Sequence, residues 1–172
     1  MHRQPLMRPR TLVIIATLAF AGACASLEGL LQPPRISAAT DSRAQLRLLG
    51  PSSQRPLGGA SIRLWARVEN PNAFGIRLST LTGNLFLEGT RAGEVSLPLG
   101  LPLTASQDTV IPLDIAISFA DLPGLADAAR RLLTEQRVGY RLDGSFSVDA
   151  GALGAPTFGP STLLRGEVDV LR

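Results

Sequence analysis

The 172-residue chain has no lysine, one histidine (His2) and one cysteine (Cys24), and each shortage removes a chemistry. A phosphate loop with its lysine and a Schiff base both need lysine. A Ser/His/Asp triad, a Cys/His pair and a zinc site all need more histidine or cysteine than the folded part can supply. No Asp-x-Asp-x-Asp run suggests a calcium loop. Aromatic residues make up 5% of the chain, with one tryptophan and one tyrosine, and none interleave with the arginines as a base-stacking platform would require. No catalytic, cofactor-binding or metal-ligating residue is therefore expected.

The charge is less one-sided than the isoelectric point of about 10.3 suggests. All 17 basic residues are arginines, and Arg3, Arg8 and Arg10 lie in the first ten positions. The remaining fourteen face fourteen acidic residues, so the chain beyond the first ten residues is formally neutral. Its only adjacent basic pair is Arg130-Arg131. A neutral, scattered pattern offers phosphate no strong attraction, which argues against a nucleic-acid partner.

The N-terminus has the plan of an export signal. MHRQPLMRPR is a basic n-region, and TLVIIATLAFAGACASL is an apolar stretch ending in small residues. Leu12 to Leu27 is shorter than the roughly 20 residues a helix needs to cross a hydrocarbon core. Ala21-Gly22-Ala23-Cys24 resembles the bacterial lipobox, in which the cysteine thiol receives a diacylglyceryl group and the leader is cut before it. The resemblance implies a signal peptide over 1–23, a lipidated Cys24 and a tether over 24–34 that includes Pro33-Pro34. The departure is Ala21, where the motif usually has leucine; ordinary cleavage after Ala23 or after Ala25 is the alternative. An anchor of two or more acyl chains holds a protein stably, since each buried methylene contributes about 0.8 kcal/mol. Ala25 in place of aspartate resembles the pattern that permits transfer to the outer membrane, so the expected location is its periplasmic face if the host has one.

From residue 35 onward the recurring signal is alternation of period two. Ile62, Leu64, Ala66 and Val68 alternate with Arg63, Trp65, Arg67 and Glu69. The pattern returns at Ile111 to Phe119, at Tyr140 to Asp149 and at Leu164 to Val170. Weaker signals occupy Ala44 to Leu49, Phe74 to Leu81, Gly83 to Glu88 and Gly93 to Leu97. One segment breaks the period: Asp121 caps a helix of about fifteen residues with Leu122, Leu125, Ala129 and Leu132 on one face. The expected fold over 35–172 is all-β, an antiparallel two-sheet sandwich of seven to eight strands with one inserted helix.

Asn70-Pro71-Asn72 follows the strongest strand. Asn70 can hydrogen-bond its side chain to backbone two residues on, Pro71 fixes φ, and Asn72 tolerates the left-handed region, so the motif is read as a turn rather than as chemistry. Together with Leu85-x-Leu87-x-Gly89, the Thr109-Val110-Ile111-Pro112-Leu113 strand and the helix before the last two strands, this series resembles the water stress and hypersensitive response domain of group 2 late embryogenesis abundant proteins. The resemblance runs from about Pro34 to the C-terminus. It implies an immunoglobulin or fibronectin III-like sandwich, no cofactor, and protective effects on proteins or membranes under desiccation and other stress.

Two further features bear on function. Trp65 points away from the apolar set of its own strand, so it either anchors a partner or packs beneath a neighbouring segment. The fourteen carboxylates leave open an acid/base pair of the kind glycoside hydrolysis uses. The resulting expectation is a non-catalytic, lipid-anchored envelope protein that contacts unfolding proteins, lipid or an envelope partner; the alternative is a carboxylate-dependent hydrolase or a carrier with an apolar pocket.

Overall fold

The computed structural model describes residues 31–53, 56–119 and 137–171. Every described strand lies in the unit Pro33–Arg172. Pro34 is already buried there, and β1 begins at the next residue. The strands are β1 Arg35–Ala38, β2 Ala44–Leu49, β3 Gly59–Glu69, β4 Ile76–Leu87, β5 Thr90–Leu103, β6 Asp108–Ser118, β7 Arg137–Asp149 and β8 Thr157–Leu171. Apart from these, the described residues hold a short 3₁₀ turn at Gly151–Leu153. The expected helix from Asp121 lies outside the described residues.

Alternation dictates the strands: Ile62, Leu64, Ala66 and Val68 are all at most 1% exposed, while Arg63 between them is exposed. The expected eight strands are present in number but not in composition. Phe74 to Leu81 and Gly83 to Glu88 are one strand, β4, and β1 is additional. Gly83, the first residue of the second of these segments, sits where two backbones touch. Gly83 lies opposite Gly144 of β7, and a Cβ on either would fall on the backbone carbonyl of Asp143 or Thr82. Glycine there permits a close approach instead of ending the strand.

The two-sheet, wholly antiparallel expectation also needs correcting. The strands hydrogen-bond into one sheet ordered β1-β3-β2-β8-β7-β4-β5, with β6 on the other edge of β3. β1 and β2 lie end to end along β3, pairing with Val68 and its neighbours and with Ile62 and its neighbours respectively. A short parallel ladder, Ala44–Arg47 against Val168–Leu171, joins β2 to β8 and so connects what would otherwise be two antiparallel groups.

This sheet cannot be flat. Six inter-strand spacings separate β6 from β5, about 29 Å in a flat sheet. Yet the chain passes from Leu103 to Asp108 in five steps, a reach of at most about 18 Å. The sheet is therefore rolled so that its ends approach, and the inner face carries the core: Leu46, Leu64, Leu78, Leu85, Leu142 and Val148 are fully buried. Prolines within strands fall on edges that no described strand pairs: Pro98 and Pro102 on β5, Pro112 on β6, and Pro160 on the part of β8 before its ladder with β2. Lacking an N–H, proline is tolerated only on such edges.

Gly144→Ala is expected to lower stability by about 2 kcal/mol or more, because a methyl group would meet immovable backbone. Gly93→Ala, whose Cβ would meet nothing within 4 Å, should leave it unchanged. Urea denaturation of the two variants checks the contrast.

Candidate functional site

The buried amide side chains among the described residues are Asn70 and Asn72. They sit where the β3–β4 connection meets the β5–β6 connection. Asn70 Nδ2 donates to the carbonyls of Phe74 at 2.9 Å, Thr104 at 3.1 Å and Leu103 at 3.3 Å. Asn70 Oδ1 accepts from the backbone N–H of Asn72 at 3.0 Å and from Asn72 Nδ2 at 2.9 Å. Backbone bonds close the node: Asn70 N–H to Gln107 O and Ser106 N–H to Asn72 O, both 2.9 Å. Ser106 is held at φ 53°, a left-handed conformation uncommon for serine. A primary amide suits this place because it supplies two donors and an acceptor without charge. The arrangement ties two loops together and leaves no polar atom of Asn70 facing a substrate.

Trp65 is half-buried on the outer side of β3, opposite Pro112 of β6. Ion pairs flank it along the strand. Arg63 grips Asp114 with both arms of its guanidinium, at 2.7 and 2.9 Å, and Arg67 bonds Asp108 and reaches Asp41 at 3.2 Å. The hydrogen bond from Arg63 holds the Asp114 carboxyl below the usual carboxylate range, and Asp108 likewise raises Arg67.

The remaining described carboxylates are partnered too. Glu69 pairs with Arg35, Glu94 with Arg91, and Glu167 and Asp169 with Arg137. Glu88 accepts from the Gly139 N–H and Asp149 from the Gly151 N–H. Asp143 accepts from Thr162 and Arg141, whose hydrogen bonds lower its carboxyl, Thr162 the more strongly. A general acid working near neutrality needs its carboxyl raised, and the shifts resolved among these acids are downward. Among the described residues no group of three or more His, Cys, Asp or Glu lies close enough to hold a metal ion, and no helix is long and apolar enough to cross a membrane. Cys24 lies outside the described residues.

The model of the LEA_2 family, described as late embryogenesis abundant protein, matches residues 66–162, more than half of the chain and the span that contains the asparagine node. The chain belongs to the LEA_2 family. Among solved structures, AT1g01470 from Arabidopsis thaliana is 18% identical, with a TM-score of 0.56 over 81% of this chain and 85% of that one. A candidate late embryogenesis abundant protein, At2g46140.1, is 16% identical over 98% and 94%, with a TM-score of 0.48. A protein from Archaeoglobus fulgidus is 12% identical over 74% and 95%, with a TM-score of 0.44. At such identities the likeness concerns the fold alone. No curated protein matches the sequence.

Sequence reasoning singled out the asparagines of this LEA_2 domain but not their long-range partners. Thr104 and Leu103 are more than thirty residues away, and a carbonyl acceptor leaves no mark in side-chain identity. The same reasoning missed Tyr140 as anything beyond an inward strand position; its burial opposite Gly166 becomes visible only with the register of β7 and β8.

Asn70→Ala is expected to cost about 3 kcal/mol, since it strips buried carbonyls of a shared donor at roughly 1–3 kcal/mol each. Calorimetric melting of the variant against wild type measures the loss. Asp114 contributes stability while ionised, so its share is intact above about pH 4 and vanishes as the pH falls through its lowered pKa. Asp114→Asn should accordingly flatten the acid limb of the stability profile.

Proposed function

We propose that this chain is a non-catalytic envelope lipoprotein whose LEA_2 domain protects proteins or membrane surface during desiccation or related stress. The family match across residues 66–162 carries the reading. The LEA_2 family is generally non-catalytic, and the partnering of every described carboxylate with arginine, hydroxyl or backbone N–H supports extending that to this member. Cys24, behind an apolar leader and the small residues Ala21-Gly22-Ala23, supplies the lipid anchor, with the periplasmic face of the outer membrane as the location in a two-membrane host.

Clients of such a domain are unfolding proteins, the lipid surface or another envelope protein. Strand addition is disfavoured as the mode of contact, because Pro98, Pro102 and Pro112 remove N–H donors from the open edges of β5 and β6. Contact through outward side chains, with Trp65 as a half-buried aromatic among them, fits the surface better.

Mass spectrometry of the protein purified from its host should find an N-terminal Cys24 carrying three or two acyl chains, and a Cys24→Ser form should stay uncleaved and unacylated. A mature N-terminus at an unacylated Cys24, or at Ser26, would refute the anchor. In a drying and rehydration assay the domain should preserve more activity of a labile enzyme than an equal mass of serum albumin does; equal recovery would refute the protective role.

A further inference from the structure

Across β2, β3 and β6 the register sets side chains out in rows. Gln45, Arg63 and Asp114 form one row, and Arg47, Ser61 and Ala116 form the next. These residues flank the buried Leu46, Ile62 and Ile115 of their own strands, which fixes all of them on the outer side of the sheet. Their lengths differ. Ser61, Ala116 and the neighbouring Gly59 are short, whereas Gln45, Arg47 and Arg63 around them are long. The short residues leave a depression of about 210 Å³, lined by Gln45, Arg47, Leu49, Ser61, Arg63 and Asp114.

Two of these residues are committed to each other. Arg63 holds both oxygens of Asp114, at 2.7 and 2.9 Å, so the pair forms one wall without net charge. Gln45, Arg47 and Ser61 make no side-chain hydrogen bond or ion pair with any described residue. Of the four arginines on β1, β2 and β3, Arg35, Arg63 and Arg67 each have a carboxylate, and Arg47 has none. Ser61 lies directly opposite Arg47, where Cβ atoms are about 4.5–5.5 Å apart, and Gln45 lies on the same side of β2 as Arg47. A guanidinium, a hydroxyl and an amide therefore border one opening, and each can donate. The lining carries one positive charge in excess, Arg47 and Arg63 against Asp114. A planar fork with an excess of one charge matches a carboxylate; a phosphate dianion would leave negative charge beside Asp114, and a cation would face Arg47 uncompensated. Half-buried Leu49 at the rim offers apolar surface to the rest of the acid.

We propose that the Arg47–Ser61 depression binds a carboxylate group, either of a small organic acid or at the C-terminus of a peptide. The site stands on outward residues of β2 and β3 and depends neither on acylation at Cys24 nor on the protective role.

The test titrates the full chain with sodium acetate, at constant ionic strength made up with sodium chloride, and follows it by NMR. Saturable shifts are expected at the Arg47 side-chain Nε–H and at the Ser61 amide. Arg47→Gln should weaken the apparent affinity about tenfold or more, and Ser61→Ala several-fold. Arg47→Lys, which keeps the charge but loses the fork, should recover only part of it. Arg91→Gln, which removes an ion pair with Glu94 on the β4–β5 hairpin, should leave it unchanged. Arg47→Gln and Ser61→Ala break no bond within the fold, so both should melt with the wild type. The tripeptide acetyl-Ala-Ala-Leu and its C-terminal amide identify the source. Tighter binding of the free acid than of acetate, lost on amidation, assigns the peptide terminus, whereas equal binding of the free acid and acetate assigns the small acid. No saturable shifts with acetate or the peptide acid, equal binding of acid and amide, or equal affinity in wild type and a folded Arg47→Gln overturns the proposal.

Discussion

One carboxamide closes the roll of this sheet. The hydrogen-bond order places β3 and β4 four steps apart, yet the chain joins them through six residues, and it joins the two ends of the order, β5 and β6, through four. Both short connections arrive at the same place with carbonyls and N–H groups that no strand ladder can satisfy. Buried backbone polar groups must find partners, and Asn70 provides them: its amide spans Phe74 on one connection and Leu103 and Thr104 on the other. A charged side chain would carry a desolvation cost at this depth, and a hydroxyl offers too few donors.

Given that closure, the rest of the architecture is constrained. Rolling a sheet this tightly brings backbones of neighbouring strands closer than a Cβ allows, and the closest approach falls at Gly83 and Gly144. The open edges left by the roll carry the strand prolines. The short parallel ladder between β2 and β8 then makes the two groups of strands continuous. A sandwich and a rolled sheet place the same residues inward, so the inner face of Leu64, Leu78 and Leu142 does not distinguish them.

That equivalence explains what the sequence made legible. Period-two alternation reports which side of a strand meets the core, so the inward sets of β3, β6 and β7 could be read directly. Alternation says nothing about which strand is the neighbour, and the β2–β8 pairing has no local signature. The same limit applied to glycine, because the need for Gly83 appears only when the register puts Gly144 opposite it. Of the candidate residues, Asn70-Pro71-Asn72 stood out because turn chemistry is local, and Trp65 because it is unique.

The exclusive use of arginine has a physical reading in this setting. Cross-strand neighbours sit at fixed spacing, and a planar fork locks onto a carboxylate in a way that a lysine ammonium does not, as Arg63 does with Asp114. Such exposed pairs add little to stability, but they consume charge: they leave the outer face of β3 and β6 locally neutral around Trp65. Along β8 the same residue type behaves differently. Arg165 faces Arg141 across the ladder, Arg141 is already committed to Asp143 and to the face of Phe86, and Arg165 is left with only a distant carboxylate. Arg47, Arg77 and Arg165 are all exposed and outside the ion pairs formed among the described residues, so pairing neutralises part of the arginine charge of this surface and leaves the rest to solvent.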